Sequence, residues 1–224
     1  KNTNEVNAMQ NLDISKDAKV YTHATTVEFD GLPILFIPWI CDDNEAETIR
    51  TIENTTSSIA MGHLEIKGFE MHNGHMNEHG TEKSMFKRFE KVMSGHFHKK
   101  SDDGQVFYLG TPYQMTWSDY GCPKGFHIFD TETRELTRIE NNLNIFQKIY
   151  YDDSMRDYND HDFTQYTEKY VKLIVVNKKD LYQFDKFTEK LLKADAHDVK
   201  IVEDFSELNA NNVSDEIVEG TQDT

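Results

Sequence analysis

Apolar and polar positions along the chain fall into short runs that predict many strands and few helices. Lys19–His23 and Thr26–Phe29 read as short strands, Asp30-Gly31 as a hairpin turn, and Pro33–Trp39 as the returning strand. Asn44–Asn54 has the composition and caps of an amphipathic helix, with Ile49 and Ile52 on one face. Ser58–Met61 reads as a buried strand, and Lys67–Gly80 as a polar loop bearing Gly and His. Glu82–Phe89 predicts a short helix that turns Met85, Phe86 and Phe89 inward, and Val92–Ser94 a further strand. Gln105–Leu109 and Gly125–Asp130 follow as strands, then a turn at Asp130–Thr133 and a strand at Glu135–Glu140, in the manner of a β-meander. This mixture points to an α/β (α+β) fold class, with helices packed outside sheets.

A second pattern begins after the polar stretch Asp152–Asp162. Tyr170–Val176 reads as a strand, Leu181–Lys193 as an amphipathic helix and Val199–Phe205 as another strand, a small βαβ-like unit. Leu181, Phe184, Phe187 and Leu191 form a stripe at helical spacing that suits a core. The expected organisation is a first domain over 1–145, an accessory region over 146–205 and an acidic, disordered tail over 206–224.

Length and composition narrow the classes. The 224 residues, 37% hydrophobic and 12% aromatic, suffice for one large domain or two smaller ones. No apolar run approaches the roughly 20 residues that span a bilayer. Two cysteines, Cys41 and Cys122, suit a reducing, cytoplasmic compartment and cannot by themselves build a structural zinc site. A formal net charge of -16 argues against unaided, non-specific nucleic-acid binding. It leaves a nuclease open, because metal cations can neutralise the reacting phosphate and a basic partner can supply further surface. The chain starts at Lys1 rather than at methionine, which reads as truncation, and nothing in its first residues resembles a signal peptide.

The candidate chemistry lies in the histidines. Gly62-His63 ends one apolar run, and Gly95-His96-Phe97-His98 ends another. In extended backbone, His96 and His98 point to one side. The glycine before each histidine permits a sharp turn or a close approach. Imidazoles suit Zn, Fe, Mn and similar ions. A second cluster, His72, His75 and His79, shares a face if helical, but Gly74 and its polar neighbours favour a loop.

In order along the chain stand Ile37-Pro38-Trp39, Gly62-His63-Leu64-Glu65 and Ser94-Gly95-His96-Phe97-His98. Gly110-Thr111-Pro112 and Lys124-Gly125-Phe126 follow, the last leading to Phe129-Asp130-Thr131-Glu132-Thr133. This ordered set resembles the calcineurin-like metallophosphoesterases, and within them the SbcD-type nucleases, the phage recombination endonuclease subunits above all. The resemblance implies the C-terminal part of a β-sandwich flanked by helices, followed by a small α/β capping region. It implies that His63 and His96 bind one ion and His98 a second, the pair usually being manganese, with magnesium as an alternative. It implies hydrolysis of DNA phosphodiesters in recombination or repair, with DNA, an SMC-like ABC-type ATPase of the SbcC type and a second nuclease copy as partners, and no membrane.

The family's Asp-x-His, Gly-Asp and Gly-Asn-His-Asp motifs do not precede His63. Asp195-Ala196-His197 and Asn159-Asp160-His161-Asp162 imitate two of them but read as solvated surface. The expectation is therefore half of a metal site, with no catalytic acid in this chain and no activity alone. Tyr108, Tyr113 and Trp117 offer base stacking or packing, with packing favoured for Tyr108. Lys87, Arg88, Lys91, Lys99 and Lys100 offer phosphate contacts or a solvated face; the DNA-binding residues stay unassigned. Two rival readings stand beside the nuclease: another calcineurin-like phosphoesterase acting on nucleotides or phosphoproteins, and a non-catalytic metal-binding module.

Overall fold

A computed structural model describes residues 19–72 and 74–203. The tail read as disordered lies outside the described residues, as does Phe205. Two compact units emerge: Lys1–Pro112 with Pro123–Asn141, and Tyr113–Cys122 with Asn142–Thr224. The fold is α+β and dominated by sheet, with two α-helices among the described residues. None of the helices described is long and apolar enough to cross a membrane.

The first unit is built on a hairpin. β1 (Thr25–Phe29) and β2 (Leu32–Ile37) pair antiparallel around Asp30-Gly31. Both turn residues have positive φ, 49° and 81°, the conformation that matches strand twist in a two-residue hairpin. Lys19–His23, read as a strand, is irregular. Local bonds compete with a ladder there: Thr22 Oγ1 meets His23 Nδ1, and Thr25 Oγ1 donates to the His23 carbonyl.

α1 (Glu45–Asn54) carries the chain to β3 (Ile59–Gly62), which lies parallel to β2. The last carbonyls of α1 and the next residue face Arg88, whose guanidinium donates to Ile52, Glu53 and Thr55. The predicted loop Lys67–Gly80 contains a small hairpin, β4 (Glu70–His72) against β5 (His75–Met76), turning at Gly74 with φ 85°. The helix expected at Glu82–Phe89 is only a 3₁₀ turn, Lys83–Phe86, extended by i→i+3 bonds. So few residues cannot meet the nucleation cost of an α-helix, while the turn still buries Phe86 and Phe89.

β6 (Lys91–Ser94) and β8 (Val106–Tyr108) extend the parallel sheet, and β7 (Ser101–Asp102) closes its edge antiparallel to β8. The order is β1-β2-β3-β6-β8-β7. The expected meander survives only in the separate hairpin of β9 (Lys124–Phe129) and β10 (Leu136–Asn141). Side-chain alternation sends Leu35, Ile37, Ala60, Val92 and Val106 into one core, with Ile52 of α1. Ile34, Ile59 and Met93 enter another core, against Phe129 and Leu136. Burial on both faces explains why β2 reads as a nearly unbroken apolar run.

In the second unit, β11 (Phe146–Asp152), β12 (Tyr170–Asn177) and β13 (Asp198–Val202) form a parallel sheet with β12 central. β11 was not anticipated from its sequence. α2 (Leu181–Leu192) joins β12 to β13 and buries Phe184, Phe187 and Leu191, so its apolar stripe faces the core. Asp180 caps it, accepting from the Gln183 N–H. Gln114 ties the segment Tyr113–Cys122 into this unit: its Oε1 accepts from the Ile145 and Phe146 N–H groups.

His161, read as solvated, is instead half-buried among Tyr158, Phe163, Tyr166 and Phe187, with Nε2 2.8 Å from the Tyr166 hydroxyl. The polar sequence around it hides the ring because its partners come from neighbouring turns and from α2. Burial, reinforced by Arg156, lowers its pKa below the ordinary 6.5. As pH falls through that value the unfolded chain takes up the proton first, so stability falls with it until the folded ring also titrates. Trp39 and Trp117 lie in different units. In a Trp39→Phe background, Trp117 fluorescence is therefore expected to show the second unit's unfolding midpoint declining on acidification below about pH 6.5, and His161→Gln to flatten that decline. An unchanged slope in His161→Gln would remove the ring from this account. The other imitation behaves as read: Asp195 and His197 are exposed.

Candidate metal centre at the ends of the parallel strands

The four parallel strands end level with one another: Ile37 is opposite Gly62, Gly62 opposite Ser94, and Ser94 opposite Tyr108. Side chains just beyond those positions meet at the carboxyl edge of the sheet, where open α/β sheets place their ligands. His63 follows β3 by one residue, His96 follows β6 by two and Trp39 follows β2 by two.

His63 and His96 come together. His96 Nδ1 lies 3.2 Å from His63 Nε2, with the rings edge to face at 5.0 Å. Trp39 packs on both, at 5.8 Å and 5.3 Å between ring centroids. The Trp39 carbonyl accepts from Asn44 Nδ2, which fixes the entry to α1 beside the pair. Histidine nitrogens bind a zinc-like ion at about 2.0–2.1 Å, so two ligands of one ion lie within about 4.2 Å of each other. The observed separation fits a shared cation as well as a shared proton.

The period-two reading of His96 and His98 does not hold, because residues 96–99 form a bend rather than extended strand. Phe97 between them is buried, packed on Tyr108 and on the His96 ring. His98 is half-buried. Its carbonyl accepts from the Thr111 N–H at 3.1 Å and from Lys124 Nζ at 3.0 Å. Among the described residues no group of three or more His, Cys, Asp or Glu side chains is gathered tightly enough to hold a metal ion. His75 and His79 are exposed, and the former sits opposite His72 in the β4–β5 hairpin.

Two residues hold the site in ways the sequence did not disclose, although Tyr108 is buried as the packing reading expects. Ser94 Oγ donates to the Leu64 carbonyl and accepts from the Leu64 N–H, both at 2.9 Å, and accepts from the His96 backbone N–H at 3.4 Å. Tyr108 is fully buried; its hydroxyl donates to the same Leu64 carbonyl and accepts from the Ile66 N–H. Burial pushes its pKa well above the usual tyrosine value. The segment leaving His63 is thereby clamped to the strands that precede His96 and Gly110. Register alone carries this signal, since Ser94 and Tyr108 are direct neighbours in the sheet. Gly62 is required for close approach: a Cβ there would lie 2.5 Å from the Ile37 carbonyl oxygen. Gly95 is not, for a Cβ there meets nothing within 4 Å.

The surroundings favour cations. A cavity of about 410 Å³ beside His63 is lined by Trp39, Asp42, Glu45, Glu65 and Glu82 among others. Most of the basic residues considered for phosphate contacts are engaged elsewhere. Arg88 caps α1, Lys91 lies over the Phe107 ring, Lys99 pairs with Glu70 and Lys100 with Asp102. Lys87 is exposed. Among the aromatics, Tyr113 is exposed, whereas Trp117 packs on Phe146 with Lys172 over its ring. Cys41 and Cys122 are free thiols.

No protein-family model matches the chain. Over 202 residues, 90% of its length, it is 35% identical to Exonuclease subunit 1 of Enterobacteria phage T4. The match covers 57% of that protein, so the chain spans little more than half the length of this relative. The order of Gly62-His63, Gly95-His96-Phe97-His98 and Gly110-Thr111-Pro112 had pointed to the phage nuclease subunits, and the chain is indeed a relative of one.

Proposed function

We propose that this chain is part of the nuclease subunit of a DNA recombination or repair complex, of the SbcD type within the calcineurin-like metallophosphoesterases. The observation that carries the reading is the His63–His96 pair, 3.2 Å apart at the carboxyl ends of adjacent parallel strands, in a relative of a phage exonuclease subunit. His63 and His96 are the ligands of one manganese ion and His98 of a second, with magnesium as the alternative metal. When bound, such ions activate water for attack on a phosphodiester and neutralise the charge that develops there. The protein's own part is to hold the two imidazoles together, to cover one side of them with the Trp39 indole, and to fix the His98 backbone.

No acid for the leaving oxygen is assigned to a residue of this chain, and no carboxylate is assigned to bridge two ions. Alone, the chain is therefore inactive and binds metal weakly. DNA is the substrate in the whole protein, working with an SMC-like ABC-type ATPase and a second nuclease copy in the cytoplasm.

Two measurements test this reading. Calorimetric titration with Mn2+ is expected to show weak binding to the 224-residue chain, lost in His63→Ala and in His96→Ala; no binding by the parent chain sinks the metal reading. A cleavage assay on DNA ends with Mn2+ is expected to show no product. Cleavage that disappears in His98→Ala would overturn the claim of inactivity while leaving the nuclease assignment standing.

A further inference from the structure

The residues that seat His63 and His96 do not seat His98. Ser94 and Tyr108 act on the segment after His63, and Ser94 on the His96 backbone N–H as well. The His98 backbone rests on a different support, centred on a lysine. Lys124 opens β9 and is only 3% exposed. Lysine is almost never buried unless its ammonium is paired, because an unpartnered buried charge is costly. Here Nζ donates to the His98 carbonyl, across 26 residues of sequence.

The neighbouring backbone closes the same seat. The Thr111 N–H donates to that carbonyl as well, and the Gly125 N–H donates to the Thr111 carbonyl. Gly110, with φ 72°, brings its backbone so close that a Cβ would stand 3.0 Å from the His98 oxygen and 3.0 Å from the Lys100 nitrogen. Two donors thus converge on one oxygen at the bend, and the charged one is the stronger.

We propose that Lys124 is the positioning residue of the second half of the metal site, its buried ammonium fixing the backbone from which the His98 imidazole projects. The inference rests on the reading that His98 is a ligand. Lys124 touches no reacting atom; it acts through the His98 backbone. Removing its donor loosens the His98 backbone, which keeps the Thr111 N–H, and leaves the Ser94 and Tyr108 supports of the His63–His96 pair in place.

Zn2+ is the probe, a diamagnetic ion that imidazoles also bind and whose effect is confined to its ligands, read as exchange broadening of the individual histidine ring-nitrogen resonances of the 224-residue chain. In the parent chain His63, His96 and His98 are expected to broaden in one titration. In Lys124→Met, and in Lys124→Gln should the first fold poorly, His98 is expected to need at least tenfold more Zn2+ than His63 and His96 in the same tube. Lys124→Arg, which restores a charged donor, is expected to bring His98 back to the parent concentration. Taking the ratio between residues within one sample cancels any loss of folded protein, so a merely structural lysine would leave it unchanged. The proposal is overturned if His98 broadens together with the other two in the Met or Gln variant, or if Arg fails to restore it. If none of the three broadens in the parent chain, the ligand reading falls first and this inference falls with it.

Discussion

The double variant Ser94→Ala/Tyr108→Phe is expected to lose more stability than the two single variants summed. Ser94→Ala leaves the buried Leu64 N–H without its acceptor, and Tyr108→Phe does the same to the Ile66 N–H. Each orphaned buried donor costs about 1–3 kcal/mol. The Leu64 carbonyl, however, accepts from both hydroxyls. Either single variant leaves it one partner, and only the double variant strips it of both. A coupling of about 0.5–3 kcal/mol beyond additivity is the signature of groups that share a partner in this way. Urea unfolding followed by Trp39 fluorescence, in a Trp117→Phe background, reads it for the first unit. Strict additivity would mean that the two hydroxyls do not act on the same carbonyl.

Gly62→Ala is expected to destabilise the first unit by about 1–3 kcal/mol, the range for forcing atoms into a filled space. The added Cβ would lie 2.5 Å from the Ile37 oxygen, a backbone atom that cannot swing aside, and 3.1 Å from the Leu64 side chain. Relief requires β2 and β3 to part at the edge that carries Trp39 and His63. The same variant is therefore expected to weaken Mn2+ binding. Gly95→Ala is the matched comparison: its Cβ meets open space, and its backbone lies outside the positive-φ glycines. It is expected to be neutral or to stabilise by about 0.4–1 kcal/mol through the unfolded chain. Equal losses for the two alanines, in thermal or chemical unfolding, would refute the close-approach account of Gly62.

That contrast shows where the sequence was legible. A Gly-His pair closing an apolar run placed His63 and His96 at strand ends, where they stand, because chain direction and strand length are local properties. The same reasoning treated the two glycines alike, yet only the first is pressed against a neighbouring strand, which is a fact of register. Asp30-Gly31 and the β12–α2–β13 unit were legible for a similar local reason: turn chemistry and periodicity lie within a dozen residues. The β4–β5 hairpin was not, since its polar composition carries no alternation. β11 was missed although Phe146 and Tyr151 are buried. Lys19–His23 was lost to side-chain bonds that compete with a ladder. The supports of the site, Ser94, Tyr108 and Lys124, were the least legible, because each acts on backbone 26 to 44 residues away. Their residue types announce nothing of that partnership.

The chain leaves its first unit after Pro112, returns at Pro123 and leaves again after Asn141. Neither unit is thus a single uninterrupted length of the gene. Recombination that joins coding segments at one breakpoint cannot transfer either unit whole without part of the other. A crossover near codon 145 would hand on the strands of the second unit without Gln114, whose amide oxygen holds the start of β11. The two units are therefore constrained to be inherited together, however differently their sequences drift.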